Sequence, residues 1–533
     1  MARGGEPVRT ALLQSAPDMT VRQIMGEFDT VVDVLRVAAV VNADSEAYVE
    51  PETETTPRKS VTFAEWDRAA DGVAGLLAGS GVTRGSVVCL LLPSSIDYMI
   101  CYAAAARLGA ITSGINLRLG VVEVRSILDR ARPTVTVIDG GATRPEGPSG
   151  TVLDRAAVAS AVAGPPAARV TGLRTTDPVA VVWTSGTTGL PKGAVFDHDS
   201  LRAVADGTDV LSQPGDRRLS PLPFAHVGSM TRMWDEIANG VTTVITPTPW
   251  KAADTIRIIG AEQITVAQGV PTQWALVLAH PDLDGTDVSS LRIAGTGTVP
   301  GDPDQVVATT VGRPVPGVSL TVADDAGRPV ASGEVGRVRL TSRAVMRGYW
   351  GGPSTGPGAG GVCLDVEATG SVLGDDGWLT TGDYGFVDGD GNLHLVGRAN
   401  ELYIRGGYNV YPAEVEGALS GHPGVEQVAV IGAPDPVLGE IGVVVVVPSD
   451  HAPVDADRLL DELRDMARRS LADYKAPDRI VVAGSLPLTS MMKVDKRALA
   501  AIAAQALSGG TDHDHHANGW QDRRQPTNGV SAS

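Results

Sequence analysis

Cysteine is scarce. The chain of 533 residues has three, Cys89, Cys101 and Cys363, far apart and odd in number. That pattern supplies neither a disulfide framework nor the paired spacing of a cysteine metal site. Small buried or partly exposed thiols in a reducing compartment are the expectation. Aromatic residues make up only 4%, so a core must be built from Ala, Val, Leu and Ile. Positive charge is in deficit as well: 44 Lys and Arg stand against 62 Asp and Glu, a net −18. Such a surface repels nucleic acid and anionic lipid, and neither is an expected partner. Long apolar runs are also missing. The richest stretch, Tyr98–Ile115, contains Arg107 and two glycines. It reads as a buried amphipathic helix and falls short of a membrane span. The first twenty residues lack the apolar core of a signal peptide, so the expected location is cytoplasmic.

What is present is a large apolar fraction, 43%, in a chain long enough for roughly three or four domain-sized units. Residues 61–140 alternate two periods. Thr62 sits where an N-cap belongs, ahead of a helical pattern. Val87–Leu92 and Val135–Ile138 are short apolar strands, with a helix from Ile96 to Leu108 between them. Repeated β then α predicts a mostly parallel, covered sheet. Residues 141–175 are rich in Gly, Pro and Ala and read as loop. Val179–Trp183 is another buried strand, and the α/β pattern continues over 200–290. Residues 317–342 alternate apolar and polar positions around turns, the mark of antiparallel hairpins. Residues 351–362 read as a flexible insertion. Beyond Arg398 a compact unit of about 100 residues follows. It has strands at Gln427–Ile431 and Gly442–Val447 and helices at Pro412–Leu419 and Ala456–Ala472. Residues 508–533 read as a disordered polar tail.

The stretch Thr184–Gly193 (TSGTTGLPKG) follows the strand at 179–183 directly. Thr184, Ser185, Thr187 and Thr188 supply hydroxyls, and Gly186, Gly189 and Gly193 let backbone N–H groups approach an anion. Lys192 adds a point charge suited to phosphate. The spacing is not that of a Walker loop. The segment resembles the signature loop of the adenylate-forming superfamily, of acyl-CoA synthetase or fatty-acid–CoA ligase type. Further motifs match in order over roughly residues 30–500. Pro221–Gly228, with His226, looks like the motif that lines and gates the acyl pocket. Gly377–Asp383 looks like the nucleotide motif and Gly397–Glu401 like the junction between domains. Arg405–Glu416 resembles the loop used in thioester formation, and Leu486–Asp495 the catalytic-lysine loop.

The resemblance implies an α/β fold. A large N-terminal domain of mixed, mostly parallel sheets covered by helices carries a β subdomain, and a small, mobile α+β domain follows. The implied bounds are an arm at 1–25, the large domain at 26–398, the small one at 399–507 and the tail at 508–533. The implied activity is an ATP-dependent carboxylate–CoA ligase: a hydrophobic acid becomes acyl-AMP and is transferred to CoA. ATP or AMP, Mg²⁺ and coenzyme A are the implied cofactors, and the assembly could be a homodimer. Asp383 would hold the ribose hydroxyls, a task that suits two acceptor oxygens. Arg398 would meet ribose and phosphate, Asn400 would be the hinge, and Gly407 would leave room for the pantetheine arm. Lys493 would neutralise charge as carboxylate attacks the α-phosphate. Asp235, behind the His226 motif, leaves an amino-acid substrate open beside a role as a helix-surface residue.

One departure lies within the implied site. Relatives carry a strand–helix–strand unit, on the order of 30 residues, between a segment like Leu291–Gly295 and one like Pro300–Pro314. It ends in a Tyr-Gly-x-Thr-Glu motif whose Glu binds Mg²⁺. Here the flanking segments are nearly fused near 295–300, the motif is absent, and no metal ligand is expected from it. The chain is then a degenerate copy, an enzyme that keeps only the thioester half-reaction, or one whose neighbouring residues rebuild the site. In addition, Met492 stands before Lys493 where relatives have Gly.

Overall fold

The computed structural model describes residues 21–509 apart from 25–26, 141–146, 185–190, 209–210, 270, 296–302, 304–305, 307–308, 354–361, 450–454 and 490–492. The chain divides into two compact units, Met1–Asn400 with Leu488–Lys493, and Glu401–Pro487 with Val494–Ser533.

The first unit is α/β, as expected. One sheet has eight strands in the order Val362–Asp365, Gly348–Pro353, Lys192–Asp197, Pro178–Thr184, Ile111–Gly114, Val87–Leu91, Val135–Ile138, Thr151–Asp154. The last five run parallel, and the first three are added antiparallel. Val87–Leu91 shows why. All five of its residues are buried, and an uninterrupted apolar run suits a strand covered on both faces. A second sheet of six strands runs Ile293–Gly295, Val266–Gln268, Arg217–Ser220, Thr242–Ile245, Glu46–Glu50, Lys59–Thr62. Its first five strands are parallel. A third, four-stranded sheet is wholly antiparallel: Ser319–Ala323, Gly336–Thr341, Leu379–Val387 and Leu393–Arg398. The hairpin expected over 317–342 is its first pair.

Local sequence explains much of the helical structure. Thr62 caps the helix Phe63–Gly79 in a reciprocal capping box with Glu65, which satisfies two N–H groups that the helix leaves open. The helix expected within Tyr98–Ile115 is corrected on two points. It ends at Arg107, and Gly109, at φ 64°, turns the chain into the strand Ile111–Gly114. Nor is it amphipathic: every residue from Tyr98 to Arg107 is buried. Arg107 is accommodated because its guanidinium pairs with Asp67 and Asp71, which Arg36 grips as well. A buried charge needs such partners. Residues 141–175 are not all loop. The strand Thr151–Asp154 and the helix Arg155–Ala161, capped by Asp154, lie within them. Residues 354–361 of the expected insertion lie outside the described residues, and its flanks are strand.

The second unit is a five-stranded sheet, with Tyr408–Val410, Tyr403–Arg405, Gly439–Pro448 and Val425–Asp435 in order and Arg479–Val482 parallel to Gly439–Pro448. Both long strands extend beyond the expected Gln427–Ile431 and Gly442–Val447. The run at 443–447 is buried on both faces: Val444 and Val446 join one apolar cluster, Val443, Val445 and Val447 another. Alternation along a strand requires that division. The helices Pro412–Leu419 and Ala456–Ser470 pack on the first face and Lys496–Gly509 on the second. Among the described residues no helix is long and apolar enough to cross a membrane.

His198, first residue of the helix His198–Gly207, is 1% exposed, and its Nδ1 accepts the Val31 N–H at 3.3 Å. Burial pushes the imidazole down to about 4, against Asp177, Asp197 and Asp33, which pull it up. The folded chain therefore refuses a proton that the unfolded chain takes below about pH 6.5. Stability attributable to this residue is complete above pH 6.5 and is lost as pH falls towards 4, on the order of 3 kcal/mol in all. Denaturant melts of wild type and His198→Asn across pH 4–7 should differ by that slope. Parallel curves would show that His198 is not buried as a neutral ring.

Candidate active site

The parallel strands of the two large sheets end at one cleft. Its walls are the residues at or after the ends of Val87–Leu91 (92–94), Ile111–Gly114 (115–118), Arg217–Ser220 (220–225) and Thr242–Ile245 (246–248 and 250). Gln273, from the helix after Val266–Gln268, closes one side. The cleft is open to solvent at its mouth. Ligands in open α/β sheets gather at the carboxyl ends of strands. The wall is mainly apolar, from Leu92, Ile115, Leu222, Phe224 and Trp250, with Asn116 and Arg118 among the polar groups.

The Ser/Thr/Gly loop leaves the same edge. Its strand, Pro178–Thr184, lies beside Ile111–Gly114 and parallel to it. Ser185, Gly186, Thr187, Thr188 and Gly189 lie outside the described residues, but both stems are in place. Thr184 pairs in register with Lys192, and its hydroxyl donates to the Lys192 carbonyl at 3.2 Å. Arg130, on the helix Val121–Ala131, ties the stems together. It donates to the Pro191 carbonyl at 2.6 Å and the Trp350 carbonyl at 3.2 Å, and lies over the Trp183 ring. Trp183 in turn donates to Ser113 at 2.8 Å. Gly193 is needed beneath that ring, since a Cβ there would stand 2.7 Å from Val181 and 3.1 Å from Trp183. The Lys192 ammonium rests 5.4 Å from the centre of the Tyr349 ring. It makes no ion pair among the described residues.

His226 caps the short helix Val227–Met230, its Nδ1 accepting the Gly228 N–H at 3.1 Å. It directly follows the cleft residues 220–225. Burial lowers its pKa, so the ring is neutral at pH 7, with the proton on Nε2. Asp383 and Arg398 are cross-strand partners in the four-stranded sheet, carboxylate to guanidinium 3.2 Å apart. Asn400 is exposed at the end of the first unit. Lys493 is exposed on a loop closed by a hydrogen bond from the Thr489 N–H to its own carbonyl at 2.6 Å. In the second unit, Gly406 (φ 57°) and Gly407 (φ 87°) make a two-residue hairpin turn between Arg405 and Tyr408. Positive φ at both central residues is the demand of a type I′ turn. A Cβ on Gly407 would meet nothing within 4 Å, so within this chain backbone conformation, not space, requires the glycine.

Asp235 is neither on a helix surface nor available to an amine. It is 0% exposed. One carboxylate oxygen accepts from Thr208 and Asn239 and the other from Ser212 and Arg218, with Arg232 at 3.4 Å. Every acceptor site is taken within the fold. No group of three or more His, Cys, Asp or Glu among the described residues could hold a metal ion.

A family model described as AMP-binding enzyme matches residues 35–300 and 293–350. A second, AMP-binding enzyme C-terminal domain, matches 414–493. This chain belongs to the AMP-binding enzyme family. The feruloyl-CoA synthase of an Amycolatopsis species is 33% identical over 477 residues, covering 82% of this chain and 93% of that protein. A long-chain-fatty-acid–CoA ligase of Mycobacterium tuberculosis is 31% identical over 506 residues, 87% and 97% of the two chains. Among solved structures, ATP-bound MatB of Rhodopseudomonas palustris has a TM-score of 0.76 at 25% identity, covering 90% of this chain and all of that one. The two pieces of the family match overlap at 293–300. There the six-stranded sheet ends in the three-residue edge strand Ile293–Gly295, and 296–302 lie outside the described residues.

Sequence reasoning missed Arg130, Tyr349 and the cleft residues Trp250 and Gln273. Nothing local marks them, because each acquires its place through strand order. Arg130→Met should keep the packing over Trp183 and lose both carbonyl contacts. Charged hydrogen bonds of this kind contribute about 1.5–3 kcal/mol. Calorimetry with octanoyl-sulfamoyladenosine, an inert acyl-adenylate mimic, should show binding weakened by about tenfold or more. Unchanged affinity would separate Arg130 from the loop's function.

Proposed function

We propose that this chain is an acyl-CoA ligase for a hydrophobic carboxylic acid. The observation that carries the proposal is the largely apolar cleft at the strand ends, lined by residues that follow Ile111–Gly114, the neighbour of the strand leading into the Ser/Thr/Gly loop. Its relatives support it, being named for joining feruloyl, fatty-acyl and indoleacetyl groups to CoA.

In the first half-reaction an oxygen of the acid's carboxylate attacks the α-phosphorus of ATP and pyrophosphate leaves, giving acyl-AMP. Two anions must meet, so the barrier is largely electrostatic. Ser185–Gly189 and Lys192 would hold the phosphates, Asp383 the ribose hydroxyls and Arg398 the ribose–phosphate junction. Lys493 would offset the charge that builds at the α-phosphate. His226, neutral and anchored through Nδ1, would stand as a wall between acid and nucleotide. In the second half-reaction the CoA sulfur attacks the acyl carbon and AMP leaves. Gly407 would admit the pantetheine arm after the small unit, 399–507, turns about Asn400. Such closure between half-reactions is a known way to run two chemistries in one site.

A second reading is favoured by one observation: the family match comes in two pieces that overlap at 293–300, at the edge strand Ile293–Gly295. The chain would then convert acyl-AMP to acyl-CoA without making the adenylate. Two assays separate the readings. Octanoate with ATP and CoA should yield octanoyl-CoA, AMP and pyrophosphate, and octanoyl-AMP with CoA should yield octanoyl-CoA. Lys493→Ala should slow the first by about a hundredfold and leave the second near wild type. Turnover in the second assay alone would select the second reading. Turnover in neither, repeated with 3-phenylpropanoate and its adenylate, would contradict both.

A further inference from the structure

The stems of the Ser/Thr/Gly loop are braced on both faces of their sheet, by different means. Trp183, paired in register with Gly193, faces one apolar cluster and lies under Arg130. Lys192 faces the other way. It opens the strand Lys192–Asp197, and the antiparallel register sets Tyr349 opposite Ala194, two residues further on. Alternation puts Lys192 and Ala194 on one face. Tyr349 is therefore the diagonal cross-strand neighbour of Lys192, a spacing that long and aromatic side chains span. The ammonium lies 5.4 Å from the centre of the ring.

Tyr349 is itself held in place. Its N–H donates to Thr369 Oγ1 at 2.9 Å, and its half-buried ring packs against the cluster that includes Ala194 and Phe196. Gly348, at φ 149°, lets the strand lie close to Thr369, where a Cβ would stand 2.9 Å from the same hydroxyl oxygen. Among the described residues Lys192 pairs with no carboxylate. That difference matters for an anion site. A carboxylate partner would neutralise the ammonium and would have to give way when a phosphate arrived. A ring face attracts the cation through its quadrupole and leaves the charge uncompensated. A lysine on a flexible stem otherwise loses rotamer freedom as it binds, and prior seating on the ring lowers that cost.

We propose that Tyr349 is a positioning residue of the phosphate loop: its ring seats Lys192, charged and without a carboxylate partner, ready for the polyphosphate of a nucleotide. Tyr349 touches no substrate and acts through Lys192. The ring face makes the contact, so phenylalanine can replace tyrosine and an aliphatic residue cannot. This inference rests on the proposed reading only in requiring that the loop bind a nucleotide.

Calorimetry with α,β-methylene-ATP, which cannot be converted to an adenylate, and with AMP separates polyphosphate binding from adenosine binding. Tyr349→Leu should weaken α,β-methylene-ATP about threefold to tenfold, as expected for loss of such a contact, and leave AMP near wild type. Tyr349→Phe should match wild type with both. In a Lys192→Ala background Tyr349→Leu should have no further effect, because a cycle over the two residues isolates the contact between them. Equal losses in both Lys192 backgrounds, a Phe variant as weak as the Leu variant, or an unweakened Leu variant would overturn the proposal and leave the ligase reading standing. The expected pattern without octanoyl-CoA formation from octanoate, ATP and CoA would support the proposal and count against the full ligase alone. Failure of wild type to bind either nucleotide would overturn both.

Discussion

Everything the first unit offers to a ligand depends on one constraint: parallel strands finish at the same edge. Helical connections return the chain across each sheet, so residues from 92 to 250 arrive at one cleft although they are far apart in sequence. Backbone N–H groups and loop side chains freed at that edge face inward, while the opposite edge carries the return connections. Two sheets with this polarity supply what an acyl adenylate needs from a protein. One brings the Ser/Thr/Gly loop, and the other brings much of the apolar wall of the cleft. On the proposed reading, an acidic protein, at −18 overall, would meet a polyphosphate through a few cations and backbone donors gathered at this edge. Arg130 is spent on bracing the loop from behind, which leaves Lys192 resting on Tyr349.

Much of this was legible in the sequence where the cause is local. The capping box at Thr62 and Glu65 is written in four residues, and Pro412 with Glu414 opens the helix Pro412–Leu419 as the pattern predicts. Apolar runs located the buried strands, because a strand covered on both faces has no polar period to confuse it. The strand Thr151–Asp154 escaped notice for the converse reason. It is an edge strand whose side chains are largely exposed, and its evidence is a ladder to Val135–Ile138. The motifs led to an expectation of nucleotide roles for Asp383 and Arg398, but only the antiparallel register shows that each is the other's partner.

Asp235 illustrates the limit most plainly. In the sequence it is one acidic residue on a short helix. In the fold it saturates its oxygens with Thr208, Ser212, Arg218 and Asn239, contributed by elements that only tertiary packing brings together. A charge buried in that way is structural, since removing one partner leaves the others uncompensated. Near the edge strand Ile293–Gly295 the sequence reading was an expectation, the absence of a strand–helix–strand unit drawn from the near-fusion of two motifs; the two pieces of the family match overlap at 293–300.

Hydrogen–deuterium exchange with and without octanoyl-sulfamoyladenosine tests the convergence of strand ends most directly. Slower exchange is predicted in peptides covering 92–94, 115–118, 220–226, 246–250 and 268–274, and in the loop after Thr184. Peptides at the opposite ends of the same strands, such as those before Val87 and Arg217, should not change. Protection confined to those opposite ends, or spread evenly over both, would contradict the assignment of the cleft as the adenylate site.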